Sequence, residues 1–390
     1  MRPAFAAFEE AEHRDRLAAA RRALRAAGFE VAVLVAPEHL YYLGGYDSWV
    51  GVNSPQALIF GLDDGDEPAL VVRNVDLALA TETSWVGDIR TYHLHADDPA
   101  ALIARVAAGK GLKHGPVAVE TQSYVLTHDL AEAYGRALSP AALKDATGVL
   151  GRLRWLKSPA EMAALRRAAG HAEAGLQAAR RHVKPGMTEI GLAAEIEAAM
   201  RRAGSDFWAI PTELTSGTRS AGGHGTPRER VIEPGDLVHM EFAGVDRRYH
   251  AVAISTMAAG RPSAEAAELY EVTRASLVAG MAAIRPGIPV AEVEEASLEP
   301  LRRRGLEGAA MMRFGYGIGI AYPPIWLETL QISRGIDQRL EPGMVFVLHA
   351  CLALPQNNLG TIQGGTWAMT ESGLDMLVGP GDVALEVIGI

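Results

Sequence analysis

The sequence predicts two domains: an α/β N-terminal domain over residues 1–150 and an α+β domain over residues 151–390 with an internal pseudo-two-fold repeat. Three observations carry this. Helical and strand patterns alternate through the first third of the chain. A fresh helix start follows at Ser158-Pro159-Ala160-Glu161. Two Pro-Gly-marked units then recur in the same order in the second half. A chain of 390 residues is long enough for two buried cores.

In the N-terminal part, Glu9 to Ala27 reads as an amphipathic helix closed by Gly28. Val31 to Val35, Ala57 to Phe60 and Ala69 to Val72 read as strands, and Asp63 to Asp66 as a turn between two of them. At Ser158 the signals are an N-cap serine, proline at the first helical position and glutamate at the third. The domain boundary is placed near Gly151.

The repeat runs as follows in residues. Lys184-Pro185-Gly186 opens a helix that lasts to Gly204, and Arg285-Pro286-Gly287 opens another that lasts to Gly305. Glu233-Pro234-Gly235 then leads into the strand Leu237 to Phe242. Its counterpart, Glu341-Pro342-Gly343, leads into Val345 to His349. Glu241 and His349 fall at the same offset from the two Glu-Pro-Gly turns. If the halves pack about a pseudo-two-fold axis, these two side chains converge on one cleft. His239 is two residues from Glu241 and is expected on the same strand face.

Lys plus Arg is 37 and Asp plus Glu is 47, a net charge of -10, which argues against a nucleic-acid surface. The Arg21–Arg25 and Arg302–Arg304 runs read as solvated helix faces. The single cysteine, Cys351, excludes an internal disulfide and makes a cytoplasmic location the expectation. The charged opening residues do not read as a signal peptide, and no apolar run reaches membrane-spanning length.

Chemistry concentrates in the second domain. Ser216 to Gly225 is a Gly-rich polar segment holding His224, a candidate general acid/base or a surface loop histidine. Glu241 sits in the apolar strand VHMEFAG, where a carboxylate is costly unless it is paired or functional. His349 sits in the apolar strand VFVLHAC, where a core role competes with a functional one. Tyr249 and His250 follow Arg247 and Arg248, and His250 starts another apolar strand, where it reads as a site residue or a strand cap. Arg219 reads as a substrate-carboxylate contact or a loop anchor, and Phe207 and Trp208 as pocket wall or core.

The segments RLRWLKSPAEMAALRRAA, KPGMTE, SGTRSAGGHGTP, IEPGDLVHMEF, GYGIG and LEPGMVF, in this order, resemble the creatinase/aminopeptidase P/prolidase superfamily. YYLGGYD resembles its N-terminal domain. The resemblance implies a pita-bread catalytic domain, a homodimer and, in the metal-dependent members, a dinuclear site. The positions of that site fall here on Glu241, Val252, Tyr316, His349 and Gly364, of which Glu241 alone keeps a carboxylate. The superfamily's other conserved histidine falls on His224. Metal-free creatinases keep it as their acid/base. EFAGVDRRYH and GYGIGIAYPPIWLE are similar to segments of ectoine hydrolases, although His349, Gly364 and Gly365 depart from the more acidic set expected there.

The resulting expectation is a metal- and cofactor-independent hydrolase of a C–N bond in a small zwitterionic or cationic nitrogen compound. His224 and Glu241 would be catalytic. Arg219, Phe207, Trp208, Tyr249, His250, Tyr316 and His349 would bind substrate. Two alternatives are a peptidase with a rearranged metal site, drawn from Glu241, His349, His224 and His239 or His250, and a non-catalytic binding module. No nucleic-acid or membrane partner is expected. Across a homodimer, Tyr46, Asp47 and Trp49 are the residues expected to complete the partner's cleft.

Overall fold

The computed structural model describes residues 3–389, and the chain divides into two compact units, Met1–Arg154 and Trp155–Ile390. The division falls after Arg154, a few residues past the boundary expected near Gly151, which lies inside the helix that closes the first unit.

The first unit runs α1 (Glu10–Ala26), β1 (Val31–Leu34), α2 (Pro37–Gly44), β2 (Ala57–Gly61), β3 (Ala69–Arg73), α3 (Leu77–Thr83), β4 (Asp88–Tyr92), α4 (Pro99–Gly109), β5 (Val117–Val119), α5 (His128–Ala137), β6 (Leu143–Asp145) and α6 (Thr147–Leu153). Its mixed sheet has the order β4-β3-β2-β1-β5-β6. The strands expected at 31, 57 and 69 are its centre, and Val31, Val33, Ile59 and Val71 are buried in its core. Arg21 departs from expectation. It is buried, and its Nε donates to the Gly61 carbonyl at 3.1 Å, so it ties α1 to β2 and does not face solvent. Tyr46 is also buried, its hydroxyl accepting from Gln56 Nε2 at 2.9 Å, which removes it from any partner-facing surface. Asp47 is half-buried and Trp49 is exposed.

The second unit opens with α7 (Pro159–His182), α8 (Glu189–Arg202), β7 (Glu213–Ser216), β8 (Asp236–Asp246) and β9 (Tyr249–Ala259). It continues with α9 (Ala264–Ala283), α10 (Val290–Arg303), β10 (Gly315–Tyr322), β11 (Ile325–Ile332), β12 (Val345–Leu354), β13 (Leu359–Thr370), β14 (Gly373–Val378) and β15 (Glu386–Ile388). α7 begins where its signals place it. The Ser158 hydroxyl accepts from Glu161 N at 3.2 Å, while Glu161 Oε2 accepts from Ser158 N at 2.9 Å, a reciprocal capping box.

The sheet order β11-β10-β12-β13-β9-β8-β7 displays the repeat. About the β13–β9 junction, β8 matches β12 and β7 matches β10, with β11 added at one edge. α7 and α8 cover the first half, and α9 and α10 the second, each pair over its own apolar core. The turns repeat in atomic detail. Gly186 N donates to Ile232 O at 2.9 Å, and Gly287 N to Leu340 O at 2.7 Å, the residues just before the two Glu-Pro-Gly turns. Gly186, Gly235, Gly287 and Gly343 all take φ between +80° and +92°, open to glycine without strain. The repeat read from Pro-Gly spacing is therefore a structural duplication.

Candidate active site

Register aligns the candidate residues along one row of the sheet. Glu241 on β8 lies opposite Glu213 on β7 and Ile254 on β9; Ile254 pairs with Gly364 on β13, and Gly364 with His349 on β12. Strand twist and the two-fold arrangement fold this row around a cleft of about 570 Å³. Glu213, Glu241, Tyr316 and His349 line it together with His224 and Arg313. Ile210, Met311, Met312, Pro324, Ile325, Trp326 and Leu327 supply apolar walls. The equal offset of Glu241 and His349 from their turns thus brings both to one cavity.

Glu241 is held by a short chain of donors. The Tyr316 hydroxyl donates to Glu241 Oε1 at 3.1 Å and itself accepts from Trp326 Nε1 at 3.0 Å. Burial raises the Glu241 carboxyl above the ordinary range, the neighbouring Glu213 raises it further, and the Tyr316 bond opposes the shift. Burial likewise raises Glu213, against the pull of His224. Two neighbouring carboxyls in a buried site cannot both ionise cheaply, so each opposes the ionisation of the other. Tyr316 is pushed well above its usual range by burial and by Glu241, which keeps it a donor. His349 is lowered to about 4 by burial, with Arg313 and His224 adding to the effect. It is neutral near pH 7, and its Nδ1 is buried without a hydrogen-bond partner.

His224 reaches the cleft from the loop after β7. Its φ of +57° lies in the left-handed region, a strained conformation for a residue other than glycine. The loop is over-determined by buried Glu189. Its Oε1 accepts from Ser216 N at 2.8 Å and Ser216 Oγ at 2.7 Å, and its Oε2 from Arg228 N at 3.0 Å and from Arg219 Nη1. Gly360 N donates to Ser220 Oγ at 3.0 Å. A Cβ on Gly360 would lie 2.2 Å from the Ser220 carbonyl, so glycine there lets the loop settle against β13.

Several expected site residues are placed elsewhere. Arg219 is a loop anchor, bound to Glu189 and donating to Thr226 O at 2.9 Å. Tyr249 is fully buried, with its hydroxyl donating to Glu161 Oε1 at 2.8 Å. His250 donates from Nδ1 to Arg248 O at 2.8 Å and accepts at Nε2 from Ala209 N at 3.0 Å, so both ring nitrogens serve the backbone. Phe207 carries the Arg248 guanidinium 4.0 Å from its ring centre, and Trp208 carries that of Arg201 at 4.6 Å. Neither ring lines the cleft; the wall there is Ile210. His239 bonds through Nε2 to Thr215 Oγ1 at 2.6 Å and stays outside the lining.

Glu213, Arg313 and Trp326 are the cleft residues with polar groups that sequence reasoning missed. Glu213 had one usable signal, an acid opening a short strand just before the His224 loop, but its pairing with Glu241 depends on strand register.

Comparison with known proteins places this arrangement. Residues 163–374 match the model of metallopeptidase family M24, and residues 16–156 that of the creatinase/prolidase N-terminal domain. The chain belongs to metallopeptidase family M24. It is similar to the ectoine hydrolase of Halomonas elongata, at 29% identity over 95% of this chain and 96% of that protein. The Xaa-Pro dipeptidase of Lactobacillus delbrueckii subsp. lactis is 25% identical over 84% of this chain and 87% of its own length. Among solved structures, the dipeptidase PepE of Mycobacterium ulcerans superposes with a TM-score of 0.85 at 27% identity, covering 98% of this chain and all of that one. The fold is therefore the pita-bread fold of the prolidases, and the chain is a hydrolase of this family.

The family implies metal ions, and the residues present do not fit them. A dinuclear site needs several carboxylate oxygens. Val252 and Gly364 offer none, and the Tyr316 hydroxyl is already bonded to Glu241. At Gly364 even a Cβ would stand 2.2 Å from the Leu348 carbonyl, so this backbone has no room for a ligand side chain. Among the described residues, no three His, Cys, Asp or Glu side chains come together in a group suited to a metal ion. The rearranged site built on His239 or His250 is likewise not assembled, because both His250 nitrogens serve the backbone and His239 lies outside the cleft lining. No helix among the described residues is long and apolar enough to cross a membrane.

Proposed function

We propose that this protein hydrolyses a C–N bond of a small cyclic amidine or related nitrogen compound without a metal ion. The observation that carries this reading is the Glu213–Glu241 pair in the cleft with His224, where the donor set for metals is missing. The pair keeps one negative charge in a desolvated site and binds the cationic amidinium. His224 removes a proton from water as the water oxygen bonds to the amidine carbon. The same proton then passes to the leaving nitrogen as its C–N bond breaks, and the second water proton leaves as the C=O bond forms and ends on the freed amine, so water is consumed and no other reactant is needed. Tyr316 keeps Glu241 oriented through the Trp326–Tyr316–Glu241 chain. The similarity to an ectoine hydrolase supports the amidine class. A cytoplasmic homodimer belongs to the same proposal, with its assembly tested by light scattering.

The deciding experiment is a turnover assay with protein stripped of metal by a strong chelator. The substrates are ectoine, hydroxyectoine, creatine and related cyclic amidines, with Xaa-Pro dipeptides as the opposing set. Hydrolysis of a member of the first set is expected, and none of the second. Robust Xaa-Pro cleavage by the stripped protein would overturn the substrate assignment.

A further inference from the structure

The cleft holds a cation for which the proposed chemistry has assigned no use. Arg313 lies two residues before β10, the strand that carries Tyr316, and it lines the cleft. Its guanidinium is steadied by the side-chain oxygen of Gln331, a neutral acceptor that orients the fork without cancelling its charge. Arg219 and Arg230 differ, being neutralised by Glu189 and Asp236. Among the described residues no carboxylate forms an ion pair with Arg313. Its charge reaches the interior of the site, since it acts on His349.

We propose that Arg313 is the carboxylate-recognising residue of the cleft, so that the substrate is a zwitterion held between Arg313 and the Glu213–Glu241 pair. The inference rests on the amidine reading for the cationic end and on the geometry of Arg313 for the anionic one. Charge matching decides between ligand types. Glu213 and Glu241 give the cleft its acidic groups, and Arg313 gives it a basic one. A simple cation would meet an unmatched guanidinium, and a simple anion would meet the carboxyl pair. A zwitterion answers both. The walls between, including Ile210, Met312, Pro324 and Trp326, suit a short aliphatic or ring skeleton. A guanidinium fork binds a carboxylate through two parallel bonds, which a lysine cannot reproduce.

The test is calorimetric binding in a His224→Ala background, so that no ligand is consumed. Three probes are used: ectoine, the same cyclic amidine lacking its carboxylate, and the dipeptide Gly-Pro. Ectoine is expected to bind at least about tenfold more tightly than its decarboxylated form. Arg313→Gln should erase that difference and leave the decarboxylated probe unchanged, while Arg313→Lys retains part of it. Matching thermal melts of the variants establish that they fold. Arg313→Gln binding ectoine as tightly as its parent, or a parent blind to the carboxylate, overturns the proposal. Arg313-dependent affinity for Gly-Pro in place of ectoine keeps the carboxylate clamp and removes the amidine reading. Binding of none of the probes removes both.

Discussion

Glu213 and Glu241 stand directly opposite each other on neighbouring antiparallel strands, both lining one cleft. Each raises the cost of ionising the other, and burial raises it for both. Replacing Glu213 by Gln removes a negative neighbour, so Glu241 ionises at lower pH. The acid limb of kcat/KM is expected to move to lower pH in Glu213→Gln. A limb that stays in place would separate the pair from catalysis.

The same pair has a signature in stability. Its folded pKa lies above the unfolded value, so its contribution is present below the ordinary carboxylate range and is lost as pH rises through the folded value. Glu241→Gln should therefore melt close to the parent near pH 4 and above it at pH 9. Each unit of raised pKa corresponds to about 1.4 kcal/mol. Parallel melting curves across that range would show that Glu241 is not held protonated.

Histidines act in the opposite direction. His13, His239, His250 and His349 are each lowered to about 4, chiefly by burial. Between that value and their ordinary 6.5 the unfolded chain binds protons that the folded chain refuses. Stability is full above pH 6.5 and falls as pH drops toward 4. Denaturant titrations from pH 7 to 4.5 should show proton uptake on unfolding, partly offset by the raised Glu213 and Glu241 carboxyls. His250→Ala should lower stability by about 1–3 kcal/mol through the stranded Ala209 N–H, with little selective effect on KM.

His224 combines a strained backbone with the proposed proton transfer. His224→Ala should lower kcat by roughly a hundredfold or more. His224→Gly should be equally inactive but more stable than His224→Ala by about 1 kcal/mol, because glycine accepts φ of +57° freely. Full activity in either variant would remove the mechanism.

Gly364 tests the metal argument. Gly364→Ala drives a Cβ against the Leu348 carbonyl and should cost about 1–3 kcal/mol or more. Activity of the parent should survive a strong chelator. Elemental analysis finding stoichiometric zinc or manganese in active protein would reverse this reading.

Much of the architecture was legible because it is written in local, periodic chemistry. Ser158, Pro159 and Glu161 announce α7 from within one helical turn. Paired Pro-Gly turns, with glycines where φ must be positive, announce the duplication, and equal offsets bring Glu241 and His349 to one cleft. The side chains Val252 and Gly364 cannot offer metals are likewise a matter of residue identity alone. Tertiary structure decided the rest. Glu213 became a partner of Glu241 through strand register, and Arg313 became a cleft cation because Gln331 orients it without neutralising it. Arg219, Tyr249 and His250 carry the right groups for a site, yet Glu189, Glu161 and the Arg248 and Ala209 backbone take up their bonds. A side chain's chemistry is local, but what it is free to bind depends on which long-range partners folding brings against it first.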